Sequence, residues 1–331
     1  GLYYISNLGG YMSFVRPEVK PPFKWTGGKN RMWDKYLPHF FPEKVDTFVD
    51  MFCGAGSVSL WIAENYPDAK IVMNDFNPEL MDMYGVMRNS YEQFEKEYLD
   101  VVQNHLSMPT PKTEKDFGSK EEYKKWNKDW ENNNPRKIHY YGLRDRYAFE
   151  YKNIKTERLM AELYFMLRVN FNGMWKAYKK LDYRYSTPPG TLMQKPKFFD
   201  IEETRKFNKF LQRCELRSGD FADMSEFSGK GTYYYADPPY RDSIVDYQGG
   251  FTEDDQRRLA STLQGYSADG SFIAESNKEI GDNFWQDNFG EDYKFSFFDA
   301  KYTAGRGTTV NDVREVLVTN FMGGTDGNSQ S

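Results

Sequence analysis

The amino-acid sequence predicts an α/β fold built on a parallel sheet, and three observations carry that expectation. Short runs of aromatic and branched residues recur along the chain. Segments with helical periodicity lie between them, and that alternation calls for crossover connections. Several of the apolar runs end abruptly in acids, glycines or prolines, the residue types found where open α/β sheets present side chains to a ligand.

In chain order, TFVDMF (47–52) reads as the first buried strand and SVSLWIAENY (57–66) as the helix that follows its glycine turn. KIVMND (70–75) is the next strand. Residues 107–136 are polar and charged and read as a partly helical surface insertion. ERLMAELYFMLRVNFNGMW (157–175) reads as one amphipathic helix, with Met160, Leu163, Tyr164 and Leu167 sharing a face. Strand TYYYA (232–236) precedes helix 251–265, which Thr252 caps and whose first turn is acidic. SFIAES (271–276) and EVLVTNF (315–321) complete the set. Residues 21–84 and 216–321 are thereby assigned to the α/β domain and 85–215 to an inserted, mainly helical one. Residues 1–20 remain as an N-terminal extension in which Met12 could open the natural chain. The Gly- and Ser-rich 322–331 reads as a disordered tail.

Composition narrows the function classes. With 39% hydrophobic and 28% charged residues the chain is of globular type. Aromatics reach 18%, which serves either a tyrosine-rich core or surfaces that stack on flat ligands. A net charge of −5 gives no global attraction to phosphate, so any nucleic-acid contact needs a local basic face, such as the one suggested between residues 168 and 184. Two distant cysteines and three histidines offer no metal-ligand spacing and no disulfide framework, so no metal is expected and a reducing cytoplasm suits the chain. No apolar run reaches membrane-spanning length and no signal-peptide pattern opens the chain.

Four stretches carry chemistry. In DMFCGAGSVSL (50–60), Gly54 and Gly56 let a backbone turn approach a ligand at a helix start, although the full dinucleotide spacing G-x-G-x-x-G is absent. Asp75 ends the following strand, where an acid either binds ribose hydroxyls or simply caps a turn. Ser218-Gly219-Asp220-Phe221 adds an acid and a ring suited to an adenine amine and face, or else a plain turn. PPFKWTGGKNRM (21–32) places Trp25 and Lys29 around a glycine pair. DPPY (237–240) is either a strand stop or a polar site held stiff by prolines at a strand's carboxyl edge.

FKWTGGK, DMFCGAGSV, NDFNPEL and DPPY, in that order, resemble the Dam-type (D12 class) DNA adenine-N6 methyltransferases. YYGLRDRY, RVNFNGMW, YSTPPG and SGDF match weaker landmarks, so the resemblance spans about residues 21–321. It implies a Rossmann-like, S-adenosylmethionine-dependent methyltransferase sheet with an inserted target-recognition domain. It implies S-adenosylmethionine as donor, S-adenosylhomocysteine as product and double-stranded DNA as partner. Carried to matching positions, it implies donor contacts from Trp25, Lys29, Phe52, Gly54, Gly56, Asp75, Asp220, Phe221 and Asp237. The catalytic loop would be Asp237, Pro238, Pro239 and Tyr240. DNA contacts would come from Arg168, Asn170, Asn172, Trp175, Lys176, Lys179 and Arg306. Thr26, where an alanine is common in the family, and the long 107–136 insertion depart from the pattern.

The chemistry of DPPY agrees with that expectation. Two fixed acceptors, the Asp237 carboxylate and the Pro238 carbonyl, would hold an exocyclic amine and stabilise its developing positive charge. Cytosine N4 and RNA adenine are acceptors of the same kind. A non-catalytic DNA-binding protein on the same fold is the alternative from another class, and an intact DPPY and glycine turn argue against it.

Overall fold

A computed structural model describes residues 2–7, 10–25, 33–151, 156–175, 185–242, 250–303 and 310–322. Of the expected site residues, Lys29, Lys176, Lys179 and Arg306 lie outside these, as does all of the expected disordered tail beyond Met322. The chain divides into two compact units. The first comprises Gly1–Pro21, Gly27–Met81 and Phe210–Ser331, and the second Pro22–Thr26 with Asp82–Lys209.

The first unit begins with a hairpin that sequence patterning did not signal. Strands β1 (Leu2–Asn7) and β2 (Gly10–Val15) pair antiparallel. Helix α1 (Trp33–Phe40), strand β3 (Thr47–Asp50) and helix α2 (Ser57–Asn65) follow. The hairpin is tied to the rest of the first unit. Asn65 accepts from the Val15 amide and donates to its carbonyl, each at 2.9 Å, and Phe14 stacks on Phe41 with ring centroids 4.9 Å apart.

Strand β4 (Lys70–Asp75) continues this unit, and helix α3 (Pro78–Asn89) crosses the division between the units. The second unit is helical, with α4 (Tyr91–Leu106), α5 (Lys120–Asn127), α6 (Trp130–Asn133), α7 (Pro135–Glu150) and α8 (Glu157–Val169). Helix α8 is almost wholly buried, and its N-cap Thr156 accepts from the Leu159 amide. It stops at Val169, six residues short of the expected end. Asn172 and Gly173 take left-handed backbone with φ of 56° and 64°, which no helix continues. A Cβ on Gly173 would stand 2.5 Å from the Lys24 carbonyl oxygen, so this turn requires glycine.

Helix α9 (Ile201–Leu211) returns the chain to the first unit. There follow β5 (Cys214–Ser218), β6 (Thr232–Ala236), α10 (Glu253–Ala268), β7 (Phe272–Lys278), α11 (Phe284–Phe289), β8 (Lys294–Thr303) and β9 (Val310–Thr319). The seven-stranded sheet has the order β5-β4-β3-β6-β7-β9-β8. The first five strands are parallel, while β9 runs antiparallel to both of its neighbours. β5 and β8 escaped notice because charged residues interrupt their apolar runs, as in CELRS.

The run TYYYA shows how a strand buried on both faces is built. Tyr233 and Tyr235 meet Phe40 of α1 at 5.7 and 5.0 Å between ring centroids. Tyr234 points the other way and stacks on Tyr266 of α10 at 4.0 Å. Every hydroxyl is satisfied: Tyr233 donates to the Phe40 carbonyl, Tyr234 to the Met224 carbonyl, and Tyr235 shares a hydrogen bond with Ser276. A buried tyrosine without such a partner would carry the desolvation cost of its hydroxyl. No helix among the described residues is long and apolar enough to cross a membrane.

Tyr234→Ala removes the stack on Tyr266 and the hydrogen bond to the Met224 carbonyl. It should destabilise the first unit by about 3–5 kcal/mol, the range for truncating a buried aromatic. A lowered urea midpoint with unchanged m-value would report this loss.

Candidate active site

After β3 the chain moves outward to β4 and β5, then returns to place β6 on the other side of β3. Such a reversal leaves a crevice outside the carboxyl ends of the central strands. Four sequence segments end there: the glycine turn after β3, Asp75 on β4, Asp220 after β5 and the DPPY loop after β6.

The glycine turn is tied to its neighbours by backbone. The Met51 amide donates to the Tyr235 carbonyl and the Cys53 amide to the Asn74 carbonyl. Gly54 and Gly56 have φ of 50° and 83°, a left-handed conformation that side chains rarely adopt, and Gly56 caps α2. Asp75 accepts from the Gly54 amide and the Asn77 amide, both at 3.0 Å. Burial raises its pKa, while those two amides act in the opposite direction. Asn74, one residue earlier, is buried and donates to the carbonyls of Met51 and Gly219, joining the β3 and β5 ends through β4.

The Asp220 carboxylate is less open than the sequence suggested. Arg258 of α10 grips both its oxygens, at 2.7 and 2.8 Å, and holds its carboxyl below the usual range. The same guanidinium lies 4.1 Å from the centroid of the Phe221 ring. Phe221 itself is buried and forms a ring cluster with Phe52 and Phe251. Arg258 and Phe251 were missed because neither belongs to a recognisable motif; both are supplied by the chain after DPPY.

The DPPY loop is anchored from beneath by buried polar side chains. Gln256 donates to the Pro239 carbonyl at 2.8 Å. Asn277 accepts from the Arg241 amide at 2.9 Å and donates to Gln256 and Glu275. Tyr240 donates to Glu315 at 3.0 Å. Arg241 makes paired hydrogen bonds to Glu253 and to Asp282, and its guanidinium lies 3.8 Å from the Phe284 ring centroid. Prolines alone were expected to stiffen this loop; side chains from α10, β7 and β9 hold it as well.

Two further acids lie below the site. Asp50 is buried and accepts from Ser59 at 2.6 Å, and burial pushes its pKa up to about 7. Glu275 pairs in register with Ala236, the residue before Asp237. Burial pushes it up to about 8, with Asp237 adding a smaller push and Asn277 opposing it.

The remaining expected residues belong to the second unit. Trp25 packs on Phe23 and Trp175 at 6.0 and 6.4 Å between centroids. Trp175 also meets Tyr185 edge-on. Arg168 was expected to contact DNA, but its side chain is only 4% exposed. It donates to the carbonyls of Pro22 and Phe198 and to the Tyr98 hydroxyl, so its donors are turned inward and hold the unit together. Asn170 likewise staples its own turn, bonding the Gly173 amide, the Met174 carbonyl and the Tyr185 hydroxyl. Asn172 stays exposed at the turn. Among the described residues no group of three or more His, Cys, Asp or Glu is arranged to hold a metal.

The buried acids have a pH signature. In an unfolded chain both would ionise near pH 4. In the fold Asp50 keeps its proton to about 7 and Glu275 to about 8. Between those limits the folded state binds more protons, so stability falls as pH rises from about 4 through 8. Asp50→Asn and Glu275→Gln remove the titrating group at constant shape. Each should flatten the fall of melting temperature over that interval, and variants with the wild-type slope would refute the assignment.

Comparison with known proteins follows the same outline. The family model of the D12 class N6 adenine-specific DNA methyltransferases matches residues 25–302. The type II methyltransferase M.MjaIII of Methanocaldococcus jannaschii is 26% identical over 277 residues, covering 81% of this chain and 87% of that protein. The type II methyltransferase M1.LlaDCHI of Lactococcus lactis subsp. cremoris is 28% identical over 319 residues, covering 92% and 96%. A DNA adenine methylase of Haemophilus influenzae is 25% identical over 230 residues, covering 68% and 66%. With the strand-end segments gathered at one sheet edge and the family match running through all of them, the chain belongs to the D12 class of N6 adenine-specific DNA methyltransferases.

Proposed function

We propose that the crevice binds S-adenosylmethionine beside an adenine turned out of duplex DNA, and that the DPPY loop holds the adenine N6 amine for methylation. The observation that carries this reading is the anchoring of Asp237–Tyr240 at the carboxyl end of β6, next to the glycine turn at the sheet's reversal.

The residues present fit the donor. A left-handed glycine turn at a helix start admits close approach of a ligand. Each Asp75 oxygen takes one backbone amide and keeps a further lone pair for a ribose hydroxyl. Arg258 and the Ala222 amide both bond Asp220 Oδ1, so Oδ2, which takes Arg258, is the oxygen that can accept from an adenine amine, and the rings of Phe52 and Phe221 give an apolar wall. Trp25 and Lys29 complete the proposed donor set, together with Asp237. S-adenosylmethionine supplies an electrophilic methyl group and leaves as S-adenosylhomocysteine.

Adenine N6 is a weak nucleophile because its lone pair is delocalised into the ring. Asp237 accepts one N6–H and the Pro238 carbonyl the other. That pairing favours a tetrahedral nitrogen whose lone pair points along the transfer direction. The acceptors are fixed before reaction, so the positive charge developing on N6 meets a preorganised field. Asp237 then accepts the surplus proton. Pro239 shapes the loop and Tyr240 offers a stacking face to the extruded base. Gln256 takes the Pro239 carbonyl, which directs the loop's acceptors without occupying that of Pro238. No metal enters this scheme. Contacts to double-stranded DNA are assigned to Asn172, Trp175, Lys176, Lys179 and Arg306, with the lysines suited to phosphate.

Asp237→Ala removes one of two acceptors. It should lower methyl transfer by roughly 100- to 1,000-fold, the scale for losing one preorganised stabilising group. DNA binding should persist. Transfer of label from S-adenosylmethionine to unmethylated duplex, followed by nucleoside analysis, measures both product and rate. N6-methyladenine is the expected product; full activity in the variant, or label on cytosine, would overturn the assignment.

A further inference from the structure

Glu315 lies on β9, the antiparallel strand between β7 and β8, beyond the residues that the family model matches. Its side chain is wholly buried. One carboxylate oxygen accepts from the Tyr36 hydroxyl of α1, and the other accepts from the Tyr240 hydroxyl at 3.0 Å. Tyr36 is itself wholly buried and meets Phe298 edge-on at 5.2 Å; Phe298 is the register partner of Glu315 on β8. Burial and the adjacent carboxylate push the Tyr36 hydroxyl well above its ordinary pKa, so it stays a donor.

A carboxylate is costly to bury, and an apolar residue would serve a central strand as well. What Glu315 adds is direction. A carboxyl oxygen held in a buried network fixes the direction of the hydroxyl that donates to it. This acceptor is fixed on a strand hydrogen-bonded on both sides, and Tyr36 fixes its second oxygen. Tyr240 is held at its backbone end by the prolines and by Asn277, which takes the next amide. Its hydroxyl, the far end of the ring, is held by Glu315. A ring tied at both ends has its long axis, and so its position and tilt, set.

We propose that Glu315 is a positioning residue for methyl transfer, holding the Tyr240 hydroxyl and thereby setting the position and tilt of the ring on which the target base stacks. The proposal rests on the reading that Tyr240 meets that base. Glu315 acts through Tyr240 and touches neither donor nor acceptor. The tether explains why the loop ends in tyrosine: phenylalanine would stack as well but could not be held at its tip.

The test is a double-mutant cycle on the full chain with duplex DNA, using Glu315→Gln, Tyr240→Phe and the pair, with Tyr240→Ala beside them. Single-turnover transfer rates are measured together with the Kd for S-adenosylmethionine. Each of Glu315→Gln and Tyr240→Phe should slow transfer by roughly 10-fold or more, the scale of a misplaced reacting group, with donor Kd unchanged. The pair should be no slower than Tyr240→Phe alone, because both changes remove one tether. A merely structural glutamate would instead shift melting temperature and donor binding, and its effect would multiply with that of Tyr240→Phe. Either multiplicative effects or a wild-type rate in Tyr240→Phe would overturn the proposal. Should Glu315→Gln fail to fold, Tyr240→Phe decides alone. A wild-type rate in Tyr240→Ala would sink the stacking role itself, whereas a slow Tyr240→Ala beside a fast Tyr240→Phe would sink only the tether.

Discussion

The site depends on the hydrogen-bonded register of β3 between β4 and β6. Asp50 stands opposite Met73 on one side and Tyr235 on the other. That register brings Asp75 and Asp237 to the same edge as the glycine turn. Parallel pairing requires crossover connections, and the reversal of their direction at β3 leaves the edge uncovered. Slipping either neighbour by one residue would turn its acid to the other face.

Beneath that edge the protein carries an unusual density of buried polar groups. Asp50, Asn74, Gln256, Glu275, Asn277 and Glu315 are all nearly inaccessible. Several of them bond the glycine turn or the DPPY loop directly: Asn74 the Met51 carbonyl, Gln256 the Pro239 carbonyl, Asn277 the Arg241 amide and Glu315 the Tyr240 hydroxyl. Asn74 joins the ends of β3 and β5, and Asn277 links β7 to the amide of Arg241. Such groups are costly unless satisfied, but once satisfied they hold backbone in one arrangement. The proposed methyl transfer gains from that precision, because acceptors held in advance need not reorganise during reaction.

The second unit illustrates where residue type misleads. Arg168 and Asn170 have the chemistry for reading bases, and both are turned inward. Arg168 lies among Tyr98, Tyr164, Phe198 and Phe199, where a planar cation can bond carbonyls and face rings at once. Helix α8 ended early for a similar local reason: Asn172 and Gly173 leave helical backbone, a conformation that an apolar periodicity cannot report.

Local sequence determined the α/β class, five strands of the main sheet, helices α2 and α10 and the motifs that end at the carboxyl edge. These follow from short-range periodicity, caps and turn chemistry. β5 and β8 were not legible because charged residues interrupt their apolar runs, and β5 also pairs with β4, far back in the chain; the β1–β2 hairpin, which joins neighbouring strands, was not signalled either. Tertiary structure alone decided that Arg258 grips Asp220, that Gln256 and Asn277 carry the DPPY loop, and that Glu315 meets Tyr240 across 75 residues of chain. Contacts of that kind leave no periodic trace. They arise where the sheet order brings remote strands together, and a side chain's partner is set by that order rather than by its neighbours in sequence.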